Sequence, residues 1–231
     1  MYPPISSQTP ETLGAWLGER GEKPYRAAQI LKWVHQHFAA DWAAMTNLSE
    51  ALQSSLNEAF EFCTVELAQK QGDTEAAQKF LWKLRDGKLV ESVLIPASPA
   101  LYGEPSDRHT LCVSTQVGCA YGCTFCASGL DGFKRNLEPA EIIDQVLAVE
   151  RAQGRAGQRA INNLVIMGMG EPMANYDNLM AALEILNPNM ERIMENLQVT
   201  EGDEVAEDQP QTVKNAPKRK PPRSGFATSW K

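Results

Sequence analysis

The amino-acid sequence predicts an α/β fold: a small N-terminal helical domain and a small antiparallel sheet, followed by the opening strand–helix units of a parallel core. Three observations carry this. Apolar residues recur at helical spacing from Pro10 to Phe60, short alternating segments occupy Phe62 to Pro96, and from His109 onward strand-like and helix-like stretches alternate.

Taken in order, residues 1–61 form the helical part. Tyr25, Ile30, Leu31, Val34 and Phe38 lie on one helical face, and Gly21 with Pro24 marks a tight connection between helices. Residues 62–108 form the small β region, where KFLWKLRDG and KLVESVLIP flank the Asp86-Gly87 turn signal of a hairpin. Residues 109–188 form the core. HTLCVST reads as a strand entering the loop QVGCAYGCTFCASG, and Pro139 to Gln153 reads as a helix with proline in its first turn. INNLVIM, from Ile161 to Met167, reads as a buried strand, GMGEP as a loop, and Tyr176 to Leu186 as a helix. Residues 189–231 pass from an acidic stretch to the basic, proline-rich NAPKRKPPR, with too few apolar side chains to offset ordering entropy, so a disordered charged tail is expected. Its KRKPPR run suits RNA contact, a targeting sequence or simple solvation.

The formal net charge of -7 excludes a generally basic nucleic-acid binder, because such proteins neutralise phosphates with Lys and Arg. Any RNA contact is therefore local. Arg20, Lys23, Arg26 and Lys32 lie near Trp33, His35 and His37, a mixture suited to phosphates and stacked bases; the solvated basic face of an amphipathic helix is the other reading. The start, MYPPISSQTPETLG, lacks the features of a secretory signal, and no apolar run approaches the roughly 20 residues of a membrane helix. A cytoplasmic protein without membrane contact is expected. Five cysteines, an odd number, argue against a secreted disulfide framework.

Four of those five fall at 112, 119, 123 and 126, and the last three form CxxxCxxC directly after a predicted strand. Gly118, Gly122 and Gly129 let this loop fold tightly around a bound object. Three thiolates around a four-iron cluster leave one iron open to a small molecule, since such clusters ordinarily take four. Structural zinc with Cys112 or His109 as fourth ligand is the competing reading, and a set of merely buried thiols is a third.

GEKPYRAAQI, TLCVSTQVGCAYGCTFCASG, GFKRNL and INNLVIMGMGEP, in this order, resemble the RlmN family of radical SAM adenine-C2 RNA methyltransferases over roughly Thr9 to Asn187. The resemblance implies that the core is the first part of a radical SAM (β/α) partial barrel. It implies that Cys119, Cys123 and Cys126 hold a [4Fe-4S] cluster whose open iron binds the amino and carboxylate groups of S-adenosylmethionine (SAM). Reduction by an external electron donor then gives the 5'-deoxyadenosyl radical. Gly170 and Glu171 of GMGEP match the segment that receives the SAM amino group, where glycine permits close approach and a carboxylate complements an ammonium. Glu91 matches an acid/base residue acting on adenine, and Cys112 a cysteine that resolves the RNA–protein adduct. Ribosomal RNA and transfer RNA are the implied substrates. By themselves GMGEP reads as a strand-to-helix turn, Glu91 as an outward strand glutamate, and Cys112 as a small buried apolar residue.

One feature departs from the family. Its late methyl-carrying cysteine has no counterpart, because no cysteine follows Cys126, and only two strand–helix units precede the tail. The expectation is that this polypeptide by itself cleaves SAM at most without completing methylation. Two other functions fit the same residues: a noncatalytic RNA-binding or assembly fragment that keeps the cluster, and a radical SAM methylase acting at adenine C8.

Overall fold

A computed structural model of the chain describes residues 2–73, 76–97, 108–154 and 159–187. The expected tail at 189–231 lies outside the described residues. Three helices open the chain: α1 (Pro10–Gly18), α2 (Tyr25–His35) and α3 (Glu50–Ala59). The start of α1 is set locally, by Pro10 in its first turn and by Thr9, whose hydroxyl accepts the Thr12 N–H while its own N–H donates to the Thr12 hydroxyl. Ser49 caps α3 through a single bond, its hydroxyl accepting the Leu52 N–H at 3.3 Å.

The sheet runs β1 (Val65–Gln71), β2 (Gln78–Leu84), β3 (Leu89–Pro96), β4 (His109–Cys112) and, after an excursion, β7 (Asn163–Val165), in the order β1-β2-β3-β4-β7. The first three junctions are antiparallel and β4–β7 is parallel. The excursion contains a ribbon, β5 (Gln116–Val117) with β6 (Arg135–Asn136), and the helix α4 (Pro139–Gln153); α5 (Tyr176–Leu186) follows β7. The hairpin predicted at Asp86-Gly87 joins β2 to β3, with Gly87 at φ 78°. The expected α/β class is therefore present, mostly antiparallel, with one barrel-like parallel pair among the described residues.

Alternation assigns the two faces. Phe80, Trp82, Leu84, Val90, Ser92, Leu94 and Leu111 are buried toward α4, while Lys79, Leu81, Glu91, Val93, Cys112 and Val165 line the other face and are only half-buried. INNLVIM differs from expectation: only Asn163–Val165 is strand, and it is half-buried. It lies at the end of the sheet order, paired on one side only, so its ladder is short and its faces are partly open.

Helix α4 is buried almost all round, including Glu141, Asp144, Gln145 and Glu150. Each of these polar side chains bonds to another segment, although the Asp144 Oδ1 is buried without a hydrogen-bond partner among the described residues. Asp144 accepts the Thr64 N–H and hydroxyl, both at 2.7 Å, and Glu150 accepts the Ala160 and Ile161 N–H groups at 2.7 and 3.1 Å. Gln145 accepts the Ser92 hydroxyl at 2.8 Å and the Ser114 N–H at 3.0 Å, and donates to the Ser114 carbonyl at 3.1 Å. Burial pushes the Asp144 carboxyl upward, opposed by its two Thr64 donors.

His35, grouped from the sequence with a solvated or RNA-facing helix surface, instead points inward at the end of α2, with its Nε2 buried and unpartnered among the described residues. Desolvation, then the charges of Arg151 and Arg159, lowers its pKa to about 4. Because the unfolded chain protonates near 6.5, it binds more protons than the folded chain between those values. Stability is then present above pH 6.5 and lost as pH falls toward 4. Urea unfolding from pH 7.5 to 4 should show this loss, and His35→Gln should flatten it; an unchanged slope in the variant would contradict the assignment.

Candidate active site

Strands β4 and β7 are parallel, so the loops that leave their C-terminal ends emerge side by side, the usual place for a ligand in an α/β sheet. One is the cysteine loop, the other is GMGEP.

The cysteine loop is drawn together at its neck. Gln116 and Val117 pair with Asn136 and Arg135, and the Lys134 N–H donates to the Val117 carbonyl at 3.0 Å. Gly118, at φ 72°, faces the Gly132 carbonyl so closely that no Cβ fits, which explains glycine here. Arg135 fixes the neck from outside: its guanidinium donates two bonds to Glu141 at 2.7 and 2.8 Å and one to Asp86 at 2.8 Å. That guanidinium, foremost by its hydrogen bond, holds the Asp86 carboxyl well below the ordinary carboxylate range.

Beyond the neck the three cysteines lie in open positions, Cys119 and Cys126 half-buried and Cys123 exposed, and none is in a disulfide. The Cys119 sulfur accepts the Tyr121 N–H at 3.4 Å. The backbone N–H of Ser128, then its hydroxyl, lowers the Cys126 thiol toward the thiolate that a metal binds. Among the described residues no three His, Cys, Asp or Glu side chains are grouped as they would be around a single metal ion. The donor set fits an iron-sulfur cluster with one open iron. It fits closed zinc poorly: His109 begins β4 at the strand end away from the loop, and Cys112 sits in the ladder opposite Val93 and Val165.

GMGEP is seated against β5 and the end of β4. The Met169 carbonyl accepts the Thr115 and Gln116 N–H groups at 2.9 and 3.2 Å, and the Met169 N–H donates to the Ser114 hydroxyl at 2.9 Å. Gly170, at φ 103°, passes so close to Gln116 that an added Cβ would lie 2.6 Å from the Gln116 Cβ. Glu171 accepts the Met173 N–H at 3.2 Å through one oxygen, capping the short helical turn Pro172–Asn175.

Glu91 and Cys112 share the sheet face opposite α4, Glu91 two residues before Val93, which pairs with Cys112. Lys79 reaches Glu91 at 3.0 Å, with both side chains about two-fifths exposed (43% and 39%). Burial pushes the Cys112 thiol up, so it stays protonated. Sequence reasoning missed Ser114, Gln116, Asn136 and Gln145, the polar groups that position these loops. Their signal was polar residues inside apolar runs, Gln145 in EIIDQVL above all.

A three-cysteine loop and a glycine loop thus leave adjacent parallel strand ends. Residues 5–62 match the profile of the family described as Ribosomal RNA large subunit methyltransferase N-terminal domain. The chain is 50% identical over 184 residues to the "Probable dual-specificity RNA methyltransferase RlmN" of Akkermansia muciniphila, covering 80% of this chain and 50% of that protein. It is 46% identical over 189 residues to the "Dual-specificity RNA methyltransferase RlmN" of Anaeromyxobacter dehalogenans, covering 80% and 48%. A crystal structure of a radical SAM methyltransferase from Sphaerobacter thermophilus superposes with a TM-score of 0.71 at 35% identity, covering 80% of this chain and 52% of that one. The chain belongs to the RlmN family, and it spans about half the length of the curated relatives it matches.

Gly170 and Gly122 test the loop geometry. Gly170→Ala meets Gln116 at a left-handed φ and should destabilise by about 1–3 kcal/mol. Gly122, with nothing within 4 Å of an added Cβ, should tolerate alanine to within about 0.5 kcal/mol. Equal effects in urea unfolding would overturn the packing described.

Proposed function

We propose that the described residues are the cluster-holding and SAM-holding part of a methyltransferase acting at C2 of an adenine in ribosomal and transfer RNA. The observation that carries this reading is the juxtaposition of the CxxxCxxC loop with GMGEP at the ends of β4 and β7. In this reading Cys119, Cys123 and Cys126 hold a [4Fe-4S] cluster, which when bound supplies the electron that cleaves SAM. Gly170 lets the backbone approach the SAM amino group, and Glu171, with one oxygen committed to its cap, directs the other toward that ammonium. Glu91 moves a proton at the adenine, with Lys79 as its resting partner, and Cys112 supplies a protonated thiol on the same face.

Exposed apolar side chains surround the site. Phe125 is 91% exposed, Leu130 83%, Met167 80% and Met173 69%, a concentration that marks a binding surface. The N-terminal helices add cationic and aromatic contacts suited to RNA: Arg20 lies 4.0 Å over the Trp16 ring, Arg26 5.2 Å over Tyr25, and the Trp33 and His37 rings are 4.8 Å apart and tilted by 53°. These favour RNA contact over a merely solvated face. With labelled RNA, the double variant Arg20→Ala, Lys32→Ala should weaken binding and flatten its dependence on salt. Wild-type affinity and slope would remove this surface from the reading.

Anaerobic reconstitution with iron and sulfide tests the centre. The chain should take up about four irons per molecule, and SAM should alter the electron paramagnetic resonance of the reduced cluster. Cys123→Ala should abolish both. Stoichiometric zinc with no iron uptake would overturn the proposal.

A further inference from the structure

Resting on the cluster-and-SAM reading above, we infer that Gln116 is a positioning residue that holds the SAM loop at a fixed place relative to the cysteine loop through one amide oxygen. Gln116 is 1% exposed, at the neck of the cysteine loop. Its Oε1 accepts the Ala120 N–H at 3.1 Å, from the residue after Cys119, and the Glu171 N–H at 2.9 Å, from GMGEP. A carbonyl oxygen has two lone pairs, and both are used here, one for each loop. The amide nitrogen donates to the Asn136 Oδ1 at 2.8 Å, and the Asn136 amide donates to the Ala174 carbonyl at 3.2 Å, so the neck also reaches the turn after GMGEP.

Two further observations point the same way. The backbone N–H of Gln116 donates to the Met169 carbonyl, and the Gln116 Cβ and Cγ occupy the space that a side chain at Gly170 would need, 2.6 and 2.7 Å from its Cβ position. GMGEP is thus moulded onto this one residue, by its backbone, its methylenes and its amide. Removing the oxygen leaves two part-buried N–H groups without partners and releases both loops together. A glutamate at this position keeps the double acceptor, and, held protonated by burial, its O–H replaces the donation to the Asn136 Oδ1.

The test compares wild type, Gln116→Met and Gln116→Glu in the 231-residue chain. Without cofactor, hydrogen exchange at the Ala120 and Glu171 amides should accelerate about tenfold or more in Gln116→Met and stay near wild type in Gln116→Glu. After reconstitution all three should hold the same iron. Gln116→Met should bind SAM about tenfold more weakly, with a diminished SAM-induced change in the resonance spectrum, and Gln116→Glu should restore both. Gln116→Asn, one methylene shorter, withdraws the same oxygen and takes the place of Gln116→Met where that variant does not fold. Unchanged exchange at both amides, acceleration at only one, or wild-type SAM affinity in Gln116→Met would overturn the inference. A wild-type chain that takes up no iron would instead overturn the cluster reading, while the exchange measurement would still decide whether Gln116 couples the loops.

Discussion

The buried amide of Gln145 is the contact on which the site's geometry depends. Its oxygen accepts from Ser92 in β3 and from the backbone of Ser114 just past β4; its nitrogen donates to the Ser114 carbonyl and to Glu141 one turn earlier in α4. All these atoms are away from water, so none has an alternative partner, and each group left unpaired would cost about 1–3 kcal/mol. Apolar packing alone brings α4 to the sheet without fixing where along the sheet it rests. The amide supplies that register, and Asp144, Glu150 and Glu141 extend it to Thr64, to the segment before β7, and to Arg135 at the loop neck.

The register passes from Ser114 to the chemistry. Its backbone is held by Gln145, while its hydroxyl donates to the Glu91 carbonyl at 2.6 Å and accepts the Met169 N–H. The strand of the candidate acid/base residue and the candidate SAM loop are thus referenced to one side chain. The face that carries Glu91 and Cys112 is built differently, with no helix packed against its half-buried side chains among the described residues. An ion pair as exposed as Lys79–Glu91 is worth about 1 kcal/mol or less, so an incoming polar group displaces Lys79 at little cost.

This division explains what could be read from the sequence. Periodicity locates α4, whose bounds Pro139–Gln153 match the expectation, because proline at its start and Gly154 at φ 63° beyond its end are local signals. The hairpin turn at Gly87 and the helix Tyr176–Leu186 are local in the same sense. The strand around Asn163–Val165 was read too long, since its extent depends on how many neighbours it pairs with, which no local pattern encodes. The cysteine triplet is legible because its spacing is itself the signal. Gln116 and Ser114 are not, because their partners lie 55 residues onward, across a fold the sequence only outlines. His35 was read as a surface group for want of any local sign that Arg151 and Arg159 would lie beside it.

The cysteine loop combines a fixed neck with an open tip, and the two halves have different physical tasks. At the neck, β5–β6 pairing, the close passage of Gly118 under Gly132 and the Arg135 fork restrict the backbone before any ligand arrives. At the tip Cys123 is exposed, and Phe125 and Leu130 stand in solvent. Gathering ligands from an exposed tip spends part of a metal centre's binding free energy on ordering it. Restricting the neck beforehand shortens the segment that remains to be ordered and so reduces that entropy. Gln116 and Asn136, which belong to the neck and also hold GMGEP and the turn after it, convert the ordering of one loop into the placement of the other.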